Sequence, residues 1–449
     1  MWFLGIDIGT THIKIIGLSE DGVLLPVKKC RTPILQRDGL TFHDAQDVWQ
    51  MLVIQLTDYA RTAARAHGPL AAISIGTFGQ EESVAVNLRG DIVYPSLAWW
   101  ENYPAAALDN ETQSWLDSEE HYAISGMRSR PNQSPERLSW IRQHHEELWN
   151  HIDRWVDFGT FIMWRLTGEW RAPSSQLTHS QCIDLKSMQP HEPTLQQLRL
   201  SPTLFPTPAD TGECCGEIHA QMLPGVELYP GACVFIGGHD QIVGALAVQH
   251  SQPTHVFDSI GTSEYLMVLT PHFPDTSAAW QLGVDIERTW KAGEFVMGCA
   301  TPSGKIIQTL AELLYQGDYD HLFNDLLTDA DTRGVSVSVS VDESEAQGLF
   351  SLHHLNAGIR PAGLVQATLD HIADRAYQLL TQMCEMGAIR PQDAVLMGSL
   401  FQRSEMIEHR KRRWKMPLFA STLTEPVAMG AAMIARESWF IATHREDQL

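Results

Sequence analysis

The chain has 449 residues, 44% of them hydrophobic and 19% charged, which is long for one ordinary core and makes two domains the natural expectation. Lys and Arg total 32 against 54 Asp and Glu, and the resulting charge of −22 speaks against nucleic acid or an anionic membrane surface as the main partner. Seven cysteines without framework spacing point to reduced thiols in a cytoplasmic protein, and no apolar run of about 18 residues offers a membrane span. The N-terminus has no basic stretch, and Asp7 interrupts its apolar run, so it does not read as a signal peptide.

Trp2 to Ile8 reads as a strand, Gly9-Thr10-Thr11 as a tight turn, and Ile13 to Leu18 as the returning strand. Such a turn offers consecutive backbone N–H groups and hydroxyls, a concavity suited to phosphate oxygens. Asp7, at the end of the first strand, adds a carboxylate for a phosphate-bound Mg²⁺, which needs few protein ligands. The plainer alternative is a hairpin with a polar turn.

After a turn at Asp21-Gly22, Leu24 to Lys28 reads as a third strand. Asp44 or Asp47 can cap a helix whose apolar positions Val48, Met51, Leu52, Leu56 and Tyr59 recur at helical spacing. Ala71 to Gly76 is a short buried strand followed by the loop Thr77-Phe78-Gly79-Gln80-Glu81-Glu82-Ser83. Strand residues Val84 to Leu88 turn at Arg89-Gly90-Asp91 and continue to Trp99. Residues 134–170 read as helical, opening on Ser134-Pro135-Glu136.

From 231 the opening logic repeats. Ala232 to Ile236 is an apolar strand, then come Gly237-Gly238-His239-Asp240-Gln241 and a small-residue helix through Ala247. Val256 to Ser263 gives another strand ending in a Gly/Thr/Ser turn. An acid at a strand end and a hydroxyl-rich turn in each half suggest a duplicated α/β fold, with domains 1–240 and 241–449. Near the C-terminus, the basic run His409 to Lys415 reads as a solvated helix face.

Taken together, these segments resemble the FGGY carbohydrate kinases across essentially the whole chain. Residues 5–14 resemble the first phosphate loop, 75–103 the sugar-binding segment, and Leu166-Thr167-Gly168-Glu169 a helix-end motif. Residues 237–240 resemble the segment with the catalytic base and 259–263 the second phosphate turn. Val395 to Ser399 and Glu425 through Ala432 resemble the adenosine region. The resemblance implies two actin-like (ribonuclease H-like) domains with a nucleotide and sugar cleft between them, and ATP and Mg²⁺ as cofactors. The partner it implies is a small-molecule sugar or polyol, and dimers are common among similar kinases.

Phosphoryl transfer depends on positioning and charge neutralisation, with a carboxylate orienting the attacking hydroxyl. The resemblance assigns that role to Asp240, although an Asp after Gly-Gly can equally be a helix N-cap. It implies Asp7 for the metal, and Thr10, Thr11 and Lys14 for the phosphates, though a lysine there can simply be solvated. On the other side it implies Ser259, Gly261, Thr262 and Ser263, with Gly304, Gly398 and Ser399 bordering the nucleotide. Substrate residues are expected at Gln80, Glu81, Glu82, Trp99, Glu101 and Gln241.

The sugar segment departs from the family pattern. Glu81-Glu82-Ser83 stands where xylulokinases carry Met-His-Gly and glycerol kinases Arg-Glu-Thr. Thr77-Phe78-Gly79 and Gly238-His239-Asp240 look more like deoxysugar kinases such as fuculokinase. Two adjacent carboxylates suit a neutral polyhydroxylated ligand and repel an anionic one. They can also be exposed loop charges. Trp100-Glu101-Asn102-Tyr103 keeps an acid but lacks the usual arginine, and Trp100 or Tyr103 can stack on a sugar or fill the core. A helical signature lysine is replaced by Arg137. Other classes compatible with these features are a sugar- or nucleotide-binding regulator with weakened catalysis, and a chaperone-like ATPase.

Overall fold

The computed structural model describes residues 1–446 except 105, 262, 328–337, 342–348, 354 and 356–357. It forms two compact α/β units. The first comprises Met1–Ser251, Glu287–Glu294 and Thr424–Leu449, and the second Gln252–Ile286 and Phe295–Leu423. No described helix is long and apolar enough to cross a membrane.

The first unit is built on a six-stranded sheet in the order Cys214–Glu217, Leu228–His239, Leu70–Thr77, Trp2–Ile8, His12–Ser19, Lys28–Arg31. Leu70–Thr77 runs parallel to both Trp2–Ile8 and Leu228–His239, while the opening hairpin pairs antiparallel from Trp2↔Ser19 to Ile8↔Ile13. All seven residues of Trp2–Ile8 are buried, as befits a strand covered on both faces. Helix Ala45–Arg61 packs Val48, Trp49, Leu52, Leu56 and Tyr59 into the core beside this sheet, and the Asp44 carboxylate caps it. A second core, with Phe42, Tyr94, Leu97, Leu138, Trp155 and Leu177, supports the segment around residues 83–98.

The second unit repeats this topology. Its strands run Phe295–Thr301, Glu264–Thr270, Val256–Ile260, Ala394–Met397, Leu418–Ala420 in sheet order. Its hairpin, Val256–Ile260 with Glu264–Thr270, is flanked by a parallel strand exactly where the first hairpin is, through pairs such as Ser259↔Met397. The expected duplication of an α/β unit is therefore present in five strands, the hairpin, the antiparallel strand beside it and two parallel strands, while Cys214–Glu217 has no counterpart.

The units do not meet at a single boundary near residue 240. Helix Asp240–Ser251 stays with the first unit, and helix Pro426–Glu446 returns to it. The return depends on small residues. A Cβ at Gly5 would lie 1.9 Å from the Ala428 carbonyl oxygen and 2.3 Å from the Ala432 nitrogen. The helix backbone thus sits against the strand backbone, a spacing no other residue permits. Gly5→Val should accordingly lower stability by about 3 kcal/mol or more, the upper end of overpacking costs. Chemical denaturation of the variant checks this, and a wild-type midpoint would mean that the helix can move away freely.

Three local readings are corrected. Residues 134–170 are not one helical stretch: strand Arg154–Asp157 separates helix Ser134–His144 from helix Phe158–Thr167, because Trp155 and Val156 are buried and pair with Val84 and Ala85. The third strand is Lys28–Arg31 rather than Leu24 to Lys28, since pairing with His12 to Ile15 sets its register. The basic run is only partly a solvated face: His409 and Arg410 are buried, and both pair with carboxylates.

Candidate active site

Asp7 pairs with Gly76 and Gly76 with Gly238, one residue before Ile8 and His239 both pair with Thr77. Three parallel strands therefore end in one row, and the chain leaves the sheet at Gly9, Phe78 and Asp240 along the same edge. The C-terminal edge of parallel strands is where α/β folds place ligands, because loops and helix starts converge there. The turn at 9–11, the loop from Phe78 and the start of helix Asp240–Ser251 are brought together this way.

Asp7 is buried, and its Oδ2 lies 2.9 Å from Lys14 Nζ, which also lies 2.9 Å from Glu425 Oε2. Burial pushes the Asp7 carboxyl up to about 6, against the pull of Lys14 and with help from the nearby charges of Asp240 and Glu425. Lys14 is raised above its usual range: burial opposes its charge, but Asp7 and Glu425 outweigh burial. Lys14 is thus a bridge between the opening hairpin and the start of the C-terminal helix rather than a solvated chain end. The neighbouring turn is fixed through its carbonyls: Thr32 Oγ1 donates to Gly9 O at 2.6 Å, and Thr32 N to Thr11 O at 3.0 Å. His43 Nε2 lies 3.2 Å from Thr10 O.

Asp240 opens its helix with a side chain 24% exposed. Its Oδ1 accepts from the Gln241 N–H at 2.6 Å and lies 3.3 Å from His239 Nε2. Burial raises its pKa, with Glu287 adding to the rise, while His239, the Gln241 amide and Lys14 oppose it.

Glu81 reaches His179, with Oε1 2.7 Å from Nδ1, and His179 Nε2 lies 2.8 Å from Glu287 Oε2. The same Glu287 oxygen lies 3.0 Å from His239 Nδ1. Burial would raise Glu81, but His179 and then His239 hold it down at about 2. Glu287 is likewise well below the carboxylate range despite burial, and both imidazoles are raised by their carboxylates against the opposing effect of burial. This pairing has a consequence for stability. A carboxylate with a folded pKa of about 2 against an ordinary 4.5 contributes stability that is complete above 4.5 and lost as pH falls through 2. Glu81→Gln should therefore melt below wild type at pH 6, with the gap narrowing as pH falls from 4.5. Equal melting at pH 6 would show that the pair contributes nothing.

The other expected substrate residues divide. Glu82, expected to bind hydroxyls, is fully buried and both of its oxygens are taken: Oε2 lies 2.7 Å from His43 Nδ1, and Oε1 accepts from the Trp99 N–H at 2.9 Å. It anchors the loop, because a buried carboxylate must be paired. Gln80 is buried with neither amide atom hydrogen-bonded to a described residue. Such a group calls for water or ligand. Glu101 Oε1 accepts from the Thr41 N–H at 3.3 Å, and Trp99 is 39% exposed. Tyr103 stacks on Trp140 at 3.7 Å between ring centroids, within the second core, so it is a packing residue. Arg137, buried, donates to the carbonyls of Leu97, Ala98 and Glu101, thereby fixing the segment that carries Trp99.

In the second unit, Gly261 N donates to Ser263 O at 2.9 Å across the hairpin turn, and Thr262 lies outside the described residues. Gly398, at φ +91°, packs against this turn, since a Cβ there would meet Ile260 O at 2.4 Å. Ser399 follows it into the short helix Leu400–Gln402. Gly304 lies in the first turn of helix Ser303–Tyr315, next to Ser303, whose hydroxyl donates to Glu264. Glu264 also accepts from Thr301 and Arg410. The segments at 259–263, 303–304 and 398–399 are thus assembled within one unit.

His43, His179, Glu287 and Glu425 were not singled out from sequence. Each is an isolated polar residue in an unremarkable local context, and only tertiary contact gives it a partner.

Residues 2–247 match the FGGY family of carbohydrate kinases, N-terminal domain. The chain is 24% identical over 323 residues to an L-fuculokinase of Escherichia coli (strain K12), a match covering 70% of this chain and 66% of that protein's length. It is 22% identical over 465 residues to a glycerol kinase of Trichlorobacter lovleyi, covering 97% of this chain and 89% of the relative. Among solved structures, a ligand-bound xylulose kinase from Lactobacillus acidophilus superposes with a TM-score of 0.84 at 16% identity, over 98% of this chain and 90% of the other. Plasmodium falciparum glycerol kinase with ADP gives 0.82 at 13% identity, over 98% and 90%. These likenesses establish the two-domain, actin-like α/β fold.

Proposed function

The chain belongs to the FGGY family of carbohydrate kinases, and we propose that it transfers the γ-phosphoryl group of ATP to a hydroxyl of a neutral sugar or polyol, with Asp240 as the base. The observation that carries this reading is the row at the sheet edge. Asp7, the 9–11 turn, the loop holding Gln80 and Glu81, and Asp240 all leave the same three parallel strands.

Asp240 would accept the proton of the attacking hydroxyl at hydrogen-bond distance, about 2.6–3.2 Å. Thr10, Thr11 and Lys14 would meet the phosphates. Ser259, Gly261, Thr262, Ser263, Gly304, Gly398 and Ser399 would serve the nucleotide from the second unit. The donor set suits magnesium: Asp7 is one buried carboxylate that burial lifts to about 6 despite Lys14, and Mg²⁺ asks for few carboxylates because it keeps several waters. When bound, the ion neutralises charge on the phosphate oxygens. Gln80, with an unpartnered buried amide, and Glu81, Trp99, Glu101 and Gln241 would contact the acceptor.

Neutrality of the acceptor follows from charge. Among the described residues, the five carboxylates Asp7, Glu81, Asp240, Glu287 and Glu425 make ion pairs with three cations, Lys14, His179 and His239. A carboxylated or phosphorylated acceptor would meet excess negative charge. The test is ADP release from ATP and Mg²⁺ with L-fuculose, xylulose, glycerol and further ketoses, deoxysugars and polyols. Acceptor-dependent release supports a kinase. Acceptor-independent turnover, or tight nucleotide binding without turnover, would replace it with a chaperone-like ATPase or a regulator respectively.

A further inference from the structure

We propose that His239, backed by Glu287, is a positioning residue for the base: together with the Gln241 amide it occupies Asp240 Oδ1, so that Oδ2 is the atom that takes the acceptor's proton. The inference rests on reading Asp240 as the base.

Five side chains alternate in an unbroken series. Glu81 Oε1 lies 2.7 Å from His179 Nδ1, His179 Nε2 lies 2.8 Å from Glu287 Oε2, Glu287 Oε2 lies 3.0 Å from His239 Nδ1, and His239 Nε2 lies 3.3 Å from Asp240 Oδ1. Each imidazole has a carboxylate oxygen at both nitrogens. A neutral imidazole would turn a lone pair toward one of those oxygens, whereas an imidazolium donates to both. The series therefore carries alternating charge, negative at both ends, and each member holds the ring or carboxylate beside it in one orientation. Glu287 and His179 are nearly inaccessible to water, so their attraction is screened little.

At the Asp240 end two contacts, the Gln241 N–H at 2.6 Å and His239 at 3.3 Å, both fall on Oδ1. The charged groups acting on Asp240 are His239 and Lys14, which favour its ionised form, and Glu287 and Asp7, which oppose it. His239 is itself acted on by Glu287 and Asp240 in one sense and by His179 in the other. In the reaction, the acceptor O–H bond breaks as its oxygen bonds the γ-phosphorus. The bond from that phosphorus to the β,γ-bridging oxygen breaks, its electron pair leaving with ADP, and the proton passes to Asp240 Oδ2. The resulting neutral acid returns the proton to solvent after product release.

The full chain labelled with [¹³Cγ]aspartate tests this without nucleotide or acceptor, the Asp240 signal being identified through Asp240→Asn. In His239→Asn, the Asp240 midpoint should rise by about one pH unit, the effect of removing one close opposite charge. The acidic limb of kcat/KM for ATP, with L-fuculose, xylulose or glycerol as acceptor, should move by the same amount. Activity below the midpoint would then fall about tenfold, with a smaller change in kcat on the alkaline plateau. Lost packing alone would depress activity at every pH without moving the limb. An unmoved Asp240 midpoint in His239→Asn, with wild-type circular dichroism, overturns the proposal. A moved midpoint without acceptor-dependent ADP release supports the pairing and overturns the kinase reading instead.

Discussion

Asp240→Asn is expected to reduce kcat by about 10² to 10⁴, the usual contribution of a positioned general base, while ADP still binds. The substitution is nearly isosteric, and the Asn carbonyl oxygen can still accept from the Gln241 N–H that Asp240 Oδ1 now accepts at 2.6 Å. What it cannot do is take a proton from an alcohol. The sign of its effect on stability is a second check. Burial raises the Asp240 pKa, so its charge opposes folding at neutral pH, and removing that charge should leave the variant melting no lower than wild type. Active-site charge commonly carries such a cost. Turnover within a few-fold of wild type would refute the assignment, and a large fall in melting temperature would show that Asp240 is chiefly a structural cap.

The second large effect is expected in the other unit. Arg410→Leu should destabilise it by about 3–5 kcal/mol, the range for removing one partner of a buried ion cluster. Arg410 is buried, with Nη2 donating to Glu264 Oε1 at 2.8 Å and Nη1 3.0 Å from Asp258 Oδ2, an ion pair without hydrogen-bond alignment. Without it, two buried carboxylates have lost their cation. Burial already raises Asp258 far above its ordinary value, and Arg410 is what opposes this. Native-state hydrogen exchange in Val256–Ile260 and Glu264–Thr270 should report the loss, because those strands carry the two acids. The deficit should narrow as pH is lowered and Asp258 takes up a proton. Unchanged exchange protection would mean that water or backbone relaxation replaces the guanidinium. Because Glu264 also holds Ser303 and Thr301, the variant should weaken ADP binding as well, if the turn at 259–263 serves the nucleotide.

How much was legible beforehand varied by residue. The strand–turn–strand at 2–19 and its counterpart at 256–270 were visible because alternating apolar runs around a Gly/Thr turn dictate a hairpin locally. Asp44 as a cap was equally local. The helical reading of 134–170 failed because Arg154–Asp157 is a strand only through its pairing with Ser83–Val86, a distant segment that overrides local preference. Arg410 was misjudged for a related reason. A charged residue reads as solvated until its partner, here the Asp258–Glu264 pair, is seen to be buried with it.

By itself the sequence determined the class of fold, its duplication, and the identity of the carboxylates and turns that could handle phosphate, because these are written in residues close along the chain. Tertiary structure alone decided which of them meet. Parallel pairing of strands about 70 and 160 residues apart sets Asp7 and Asp240 on one edge. It also decided that Glu81 answers to His179, 98 residues along the chain, and His179 to Glu287, 108 residues further, in the series that ends on Asp240. Ionisation and orientation depend on charges a few ångströms away in space, and nothing in the spacing of residues along a chain records that distance.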